Sequence, residues 1–253
     1  MSTITQAFDL TGKHAFITGS SRGLGLAIAR GLAEAGARVT LNGRSAQPLQ
    51  DAVDSLKSEQ LEASYIVADV TKAADISDAL GRVEPVDILV NNAGIQLRAP
   101  FVDQTDETWR IMFETHVMGA VLPCRAVLPG MIARGGGKII NICSLMSEKG
   151  RANIVPYSAM KGAMKMLTRG LATELGGRNI QVNGIGPGYF LTDMNAALIA
   201  DPAFDAMVKG KTPAGRWGRP EELVGTAVFL ASSASDFVNG QIIYVDGGIM
   251  AAL

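Results

Sequence analysis

The feature that most constrains the fold of this chain is a glycine turn set between a short apolar strand and a helix. His14-Ala-Phe-Ile-Thr18 reads as the strand, Gly19-Ser-Ser-Arg-Gly23-Leu-Gly25 as the turn, and Leu26 to Ala35 as the helix, closed by Gly36. Glycine lets a backbone turn tightly and come close to another group, and a helix N-terminus presents unpaired N–H groups at the positive end of its dipole. Three glycines alone carry little weight, but a strand before them and a helix after them is the arrangement that cradles a pyrophosphate. Gly19, Ser21, Arg22, Gly23, Leu24 and Gly25 are therefore candidate dinucleotide contacts.

The pattern continues. Ala37-Arg-Val-Thr-Leu-Asn42, Ser64-Tyr-Ile-Val-Ala-Asp69, Val86-Asp-Ile-Leu-Val-Asn91, Lys138-Ile-Ile-Asn-Ile-Cys143 and Gln241-Ile-Ile-Tyr-Val-Asp246 all read as strands separated by helical stretches. No linker, charge block or low-complexity run interrupts the 253 residues. The expected fold is α/β, a doubly wound parallel sheet of the Rossmann type with about seven strands and helices on both faces, in one domain spanning 1–253. Residues 193–212, with Pro202, Gly210 and short alanine-rich stretches, read as a segment covering the site.

The second strand ends in Asn42-Gly43-Arg44. An acid at this point takes the ribose hydroxyls of NAD, whereas here an arginine is available to pair with a phosphate. A guanidinium suits a phosphate through planar, bidentate hydrogen bonds, and Arg22 lies within reach of the same group. NADP is thus expected over NAD, the alternative being that both arginines are solvated surface groups. Asn92, Ala93 and Gly94, at the end of the fourth strand, allow close passage of a dinucleotide, while Asn91 is equally a candidate for holding backbone groups.

Tyr157 and Lys161 are four residues apart in Tyr157-Ser-Ala-Met-Lys161, so on a helix they share a face. A nearby ammonium is expected to lower a tyrosine pKa from about 10 and make the phenol usable as a general acid or base. Ser144 follows an apolar strand and so falls at a carboxyl end, where open α/β sheets bind ligands.

Taken together, Thr18-Gly19-x-x-x-Gly23-x-Gly25, Asn91-Asn-Ala-Gly94, Ser144, Tyr157-x-x-x-Lys161 and Pro187-Gly188 followed by Thr192 resemble the short-chain dehydrogenase/reductase family, over nearly the whole chain from Leu10 onward. Within it, Asn91-Asn-Ala-Gly-Ile-Gln-Leu-Arg-Ala-Pro100, Gly186-Pro-Gly-Tyr-Phe190 and Lys211-Thr-Pro-Ala-Gly-Arg-Trp-Gly218 are similar to segments of gluconate 5-dehydrogenases. The resemblance implies Tyr157 as acid/base, Lys161 on the nicotinamide ribose and as the tuner of Tyr157, and Ser144 on the reacting oxygen. It further implies Pro187, Gly188 and Phe190 beside the nicotinamide amide, Thr192 near the pyrophosphate, and Asp69 and Val70 at the adenine. Its tetramers imply a homotetramer here, with Ile249 to Leu253 as interface.

The sequence departs from the family pattern at His116, in Glu114-Thr-His-Val117, where the family has a catalytic asparagine that helps hold a water linking the lysine to solvent. Neutral imidazole can accept and donate hydrogen bonds and ordinarily titrates near neutrality. A modified relay with a changed pH profile is expected, against a packed histidine or loss of catalysis.

The implied reaction interconverts an alcohol and a ketone of a sugar acid, D-gluconate and 5-keto-D-gluconate. The alternatives are reduction of a 3-oxoacyl thioester on carrier protein, another short-chain carbonyl reductase, and a non-catalytic NADP-binding sensor. A sugar acid needs a cation for its carboxylate, for which Arg98 is the candidate. Glu148 and Arg151 are candidates to bind its hydroxyls or each other, with a solvated face as the alternative, and Met146, Tyr189 and Met194 are candidate wall residues, with a core or lid role as theirs.

A net charge of −1 with dispersed Lys and Arg argues against nucleic acid. No uninterrupted apolar run approaches the roughly 20 residues of a membrane span, and the N-terminus lacks a leader pattern, so a soluble cytoplasmic protein is expected. Cys124 and Cys143 form neither a ligand spacing nor a disulfide framework, and with only His14 and His116 no His-rich metal site is expected.

Overall fold

The computed structural model describes residues 3–252, so Met1, Ser2 and Leu253 of the expected domain and C-terminal interface lie outside the described residues. The chain alternates strand and helix: β1 (His14–Ile17), α1 (Gly23–Glu34), β2 (Arg38–Gly43), α2 (Ala46–Ser58), β3 (Ala63–Val67), α3 (Ala73–Gly81) and β4 (Ile88–Asn91). Then follow α4 (Asp106–Phe113), α5 (Gly119–Arg134), β5 (Gly137–Ile142), α6 (Val155–Leu175), β6 (Ile180–Pro187), α7 (Ala196–Ile199), α8 (Pro202–Lys211), α9 (Glu221–Ala231) and β7 (Ile242–Val245). All pairings are parallel, in the order β3-β2-β1-β4-β5-β6-β7.

Parallel strands buried on both faces need continuous apolar runs rather than alternation. β1, β4 and β6 are buried along their entire length. Leu32 and Ala29 of α1 and Leu223, Ala227 and Leu230 of α9 pack one face with Val39, Leu41 and Val90. On the other face Cys124, Val127 and Met131 of α5 meet Phe16, Leu89, Ile139 and Val182.

The chain leaves β1 toward β2 and β3, then crosses to β4 on the opposite side of β1. This reversal opens a crevice at the carboxyl ends of β1 and β4, the place where such sheets bind ligands.

Residues Asp106–Arg134 form a run of helix long and apolar enough, by length and composition, to cross a membrane. Its inner face packs on the sheet through Cys124, Val127 and Met131, and Pro123 and Pro129 lie inside it. Between α4 and α5 it widens to a π-turn over Glu114–Met118, which turns His116 inward.

Candidate active site

A cavity of about 1000 Å³ opens at the crevice and is lined by all the candidate dinucleotide residues, from Gly19 to Gly25, Asn42, Arg44, Asp69, Val70, Asn92 to Gly94, and Pro187, Gly188, Phe190 and Thr192. The glycine turn is shaped by contact. Gly19 has φ +60° and a Cβ there would lie 2.8 Å from Ala93 Cα, while a Cβ on Gly25 would lie 2.6 Å from the Gly19 carbonyl oxygen. A larger residue at Gly19 would collide with Ala93, just beyond β4, and one at Gly25 would push α1 off the turn itself.

Thr18 and Asn92 tie the two strand ends together. The Thr18 hydroxyl oxygen accepts from the N–H groups of Asn92 and Ala93 at 3.0 and 3.1 Å, and Asn92 Nδ2 donates to the Thr18 and Gly19 carbonyls at 3.0 and 2.8 Å. Asn91 resolves to the packing alternative, donating to Asn141 Oδ1 at 2.8 Å inside the core. Asn42 is fully buried, donates to Ala68 O at 3.1 Å, and keeps its Oδ1 without a partner among the described residues.

Arg22 pairs with Asp193 at 3.8 Å across the cavity mouth, both side chains being largely exposed. Arg44 lines the same cavity together with Ser45, the residue before α2. Ser45 was not singled out from sequence, although a serine directly before a helix is a readable signal. A positive helix end, a backbone that a Cβ would crowd and an arginine at the end of β2 fit a phosphorylated dinucleotide.

Ser144, Tyr157, Lys161 and His116 line one end of the cavity. Ser144 lies two residues beyond β5 and caps the turn Leu145–Ser147, its Oγ accepting from Met146 N–H at 3.1 Å. Ser147 Oγ donates to Lys161 O at 2.8 Å and so ties this turn to α6. Lys161 is buried, and its Nζ donates to Ile142 O at 2.6 Å. Burial depresses its pKa to about 8, partly offset by Cys143.

Lys161 meets Tyr157 through the ring face and not by a hydrogen bond to the phenol. The ammonium lies over the ring, 5.7 Å from its centroid, and makes its hydrogen bond elsewhere. Burial raises the phenol pKa, and the Ser144 hydroxyl, then the Arg151 guanidinium, pull it down, with Cys143 adding to the rise and Arg98 to the fall.

His116 sits edge-on to Tyr157, ring centroids 5.4 Å apart at 85°. Its Nε2 is 2.7 Å from Ile95 O and 3.3 Å from Ile95 N. One nitrogen cannot both donate and accept these, and the shorter contact gives it the proton. Nδ1 is left as a bare acceptor, buried and without a partner among the described residues. Burial and then the Lys161 charge push the imidazole pKa down to about 3, so the expected titration near neutrality does not occur. Folding thus favours the neutral ring, a contribution present above the ordinary value of 6.5 and lost as pH falls toward 3.

Among the substrate candidates, Met146, Arg151, Tyr189 and Met194 line the cavity. Two others do not. Arg98 is exposed and donates to Gln96 Oε1 at 3.1 Å and Met194 O at 3.5 Å. Glu148 turns away to Lys165 and the Tyr244 hydroxyl, because α6 and β7 offer it a cation and a donor behind the wall. Ile95, which fixes His116, and Phe204, which contacts Arg151, carried no sequence signal beyond being apolar.

Fold and site define a nicotinamide-dependent oxidoreductase class, and the chain belongs to the short-chain dehydrogenase/reductase family. A family profile described as enoyl-(acyl carrier protein) reductase matches residues 19–250. The chain is 50 % identical over 250 residues to gluconate 5-dehydrogenase of Gluconobacter oxydans, covering 97 % of this chain and 98 % of the relative. It is 47 % identical over 250 residues to 5-keto-D-gluconate 5-reductase of Escherichia coli, with the same coverage. A crystal structure of a gluconate 5-dehydrogenase from Burkholderia cenocepacia in complex with NADP and tartrate superposes with a TM-score of 0.96 at 47 % identity, covering 99 % of this chain and 100 % of that one.

Proposed function

We propose that this protein is an NADP-dependent oxidoreductase that interconverts D-gluconate and 5-keto-D-gluconate. The observation that carries the reading is the cationic end of the site. Arg151 lines the cavity and Arg98 stands exposed just outside its lining, both act on the Tyr157 phenol, and among the described residues neither is in an ion pair. Two guanidinium groups in one another's field without a carboxylate favour an anionic substrate.

When bound, NADP supplies the hydride acceptor in oxidation and, reduced, the donor. Gly19 to Gly25 hold its pyrophosphate against the first turn of α1, Arg44 and Arg22 take the phosphate, and Lys161 holds the ribose beside the nicotinamide. Asp69 and Val70 flank the adenine, and Pro187, Gly188, Phe190 and Thr192 line the nicotinamide side. Tyr157 takes the proton of the reacting hydroxyl or returns it to the ketone, and Ser144 hydrogen-bonds the same oxygen. His116 Nδ1 serves as an acceptor in the proton relay behind Tyr157.

Residues 193–212 cover the bound substrate, with Asp193, Met194, Asn195 and Leu198 in the cavity wall. The exposed apolar residues Phe101, Val102, Met166 and Phe237 support assembly as a homotetramer. A nicotinamide pool and a sugar-acid substrate fit work in the cytoplasm.

The test is initial-rate oxidation of D-gluconate with NADP and with NAD in parallel. NADP is expected to be preferred at least about tenfold, and Arg44→Ala to lower kcat/KM for NADP by roughly tenfold to a hundredfold while leaving NAD nearly unchanged. Equal losses on both coenzymes would remove Arg44 from phosphate recognition. Silence with both, despite NADPH binding, would remove the sugar acid.

A second test addresses His116. His116→Phe keeps the ring against Tyr157 but removes the acceptor, and kcat is expected to fall about tenfold to a hundredfold. His116→Asn restores a polar group and should stay within about tenfold of the native rate. A fully active phenylalanine variant would make the histidine a packing residue.

A further inference from the structure

Arg151 lies in the loop between β5 and α6, and it is the only arginine of the Arg98–Arg151 pair that lines the cavity. Its surroundings are unusual for a loop residue. The guanidinium carbon stands 5.0 Å from the ring centroid of Phe204 on α8 and 5.9 Å from that of Tyr189, and Nη1 donates to the Tyr189 hydroxyl at 3.2 Å. No other hydrogen bond of its side chain is made among the described residues, so donors remain on its other edges.

The platform beneath it is itself fixed. Tyr189 meets Phe204 and Trp217 edge-on, at 5.8 and 5.6 Å, and Phe204 and Trp217 lie 6.4 Å apart. Trp217 is 4 % exposed, and its Nε1 donates to Asp205 Oδ1 at 2.8 Å. Phe204 and Asp205 both belong to α8, within the segment that covers the cavity. A guanidinium lying against an aromatic ring keeps its planar edge free for a carboxylate.

We propose that Arg151 is the specificity-determining residue for the substrate carboxylate, held in place by Phe204 and Tyr189, so that recognition of the acid and docking of α8 are one event. The inference rests on the sugar-acid reading and moves the main carboxylate contact from Arg98, which is exposed and outside the cavity lining, to Arg151, which lines it. The carboxylate at the far end of a six-carbon chain then points away from Tyr157, leaving the opposite end of the sugar at the phenol.

Steady-state kinetics of D-gluconate oxidation with NADP test this in the native protein, Arg151→Met, Arg151→Lys, Phe204→Leu and Phe204→Tyr. Arg151→Met is expected to raise KM for D-gluconate at least about twentyfold with kcat lowered less than about threefold, and Arg151→Lys to fall between, because an ammonium keeps charge but not the fork. Phe204→Leu is expected to raise KM about fivefold and Phe204→Tyr to restore it, since both aromatics offer a ring face.

The pH profiles give a readout that a merely structural role would not move. In the empty site the Arg151 charge pulls the Tyr157 phenol down, against the larger effect of burial, so Arg151→Met should shift the acidic limb of kcat/KM for oxidation, where the phenol must be deprotonated to act as base, to higher pH. With substrate bound, the carboxylate neutralises the guanidinium, and the limb of kcat should hardly move. Unchanged NADPH affinity in each variant verifies the fold. An unaltered KM in Arg151→Met, equal movement of both pH limbs, or a Phe204→Leu variant with native KM would each overturn the inference. Absence of D-gluconate turnover in the native protein would instead overturn the sugar-acid reading on which it stands.

Discussion

Replacing Tyr157 by phenylalanine is expected to lower kcat by at least about a thousandfold while leaving the NADPH dissociation constant within about threefold of the native value. The ring keeps its edge contact with His116 at 5.4 Å, and no hydrogen bond of the cofactor cradle passes through the phenol oxygen. The substitution therefore removes a proton carrier with little change in packing. Rates followed at the nicotinamide absorbance and NADPH titrated by its fluorescence separate the two effects. A variant within tenfold of the native rate would show that the proton travels by another group, with Ser144 the nearest.

The second large effect combines loss of turnover with a gain in stability. Lys161→Met should lower kcat by roughly a hundredfold or more, since the ammonium is the group proposed to hold the ribose. In the cofactor-free protein the same ammonium is a burden. Its pKa is depressed from 10.5 to about 8, chiefly by burial, which corresponds to roughly 3 kcal/mol against the charged form at neutral pH. Removing the side chain also leaves Ile142 O without its 2.6 Å donor, an opposing cost of about 1 to 3 kcal/mol. The net expectation is a gain of about 1 kcal/mol, or a rise in Tm of about 2 to 4 °C.

The sign of the pH dependence supplies an independent check. Between about 8 and 10.5 the unfolded chain holds a proton on Lys161 that the folded protein releases, so this residue makes native stability rise with pH in that window. Lys161→Met should flatten that slope. A variant that is less stable than the native protein at pH 7, with an unchanged slope, would mean that the Ile142 hydrogen bond outweighs desolvation.

The alternation of strand and helix, and the residues that line the dinucleotide end of the cavity, were legible because each depends on short-range sequence. A parallel strand buried on both faces is an apolar run, and a glycine turn before a helix is local chemistry, so Gly19 to Gly25, Asn92 and Ser144 could be placed from letters. The substrate half was less legible because it depends on which of several nearby partners a side chain chooses. Glu148 turned to Lys165 and Tyr244, which are distant in sequence, and Arg98 turned to Gln96 and Met194. The exact seat of the Lys161 charge was hidden for a related reason. Helical spacing put Lys161 on the right face but not its Nζ at the phenol, and the buried carbonyl of Ile142 drew it away. His116 was noticed as a departure, yet its neutrality follows from depth and from the Lys161 charge, which no local pattern encodes.

The hydrogen bonds between Thr18 and Asn92 close within the protein itself, with no group of a bound ligand needed to complete them. The floor under the dinucleotide is thus finished during folding, and its integrity is independent of what is built above the opposite end of the cavity. Arg151, Phe204 and Trp217 belong to separate loops and helices that make none of these bonds. Such a separation gives the scaffold room to diversify: drift in the outer residues can retarget the enzyme to a new hydroxy acid without renegotiating how it carries electrons.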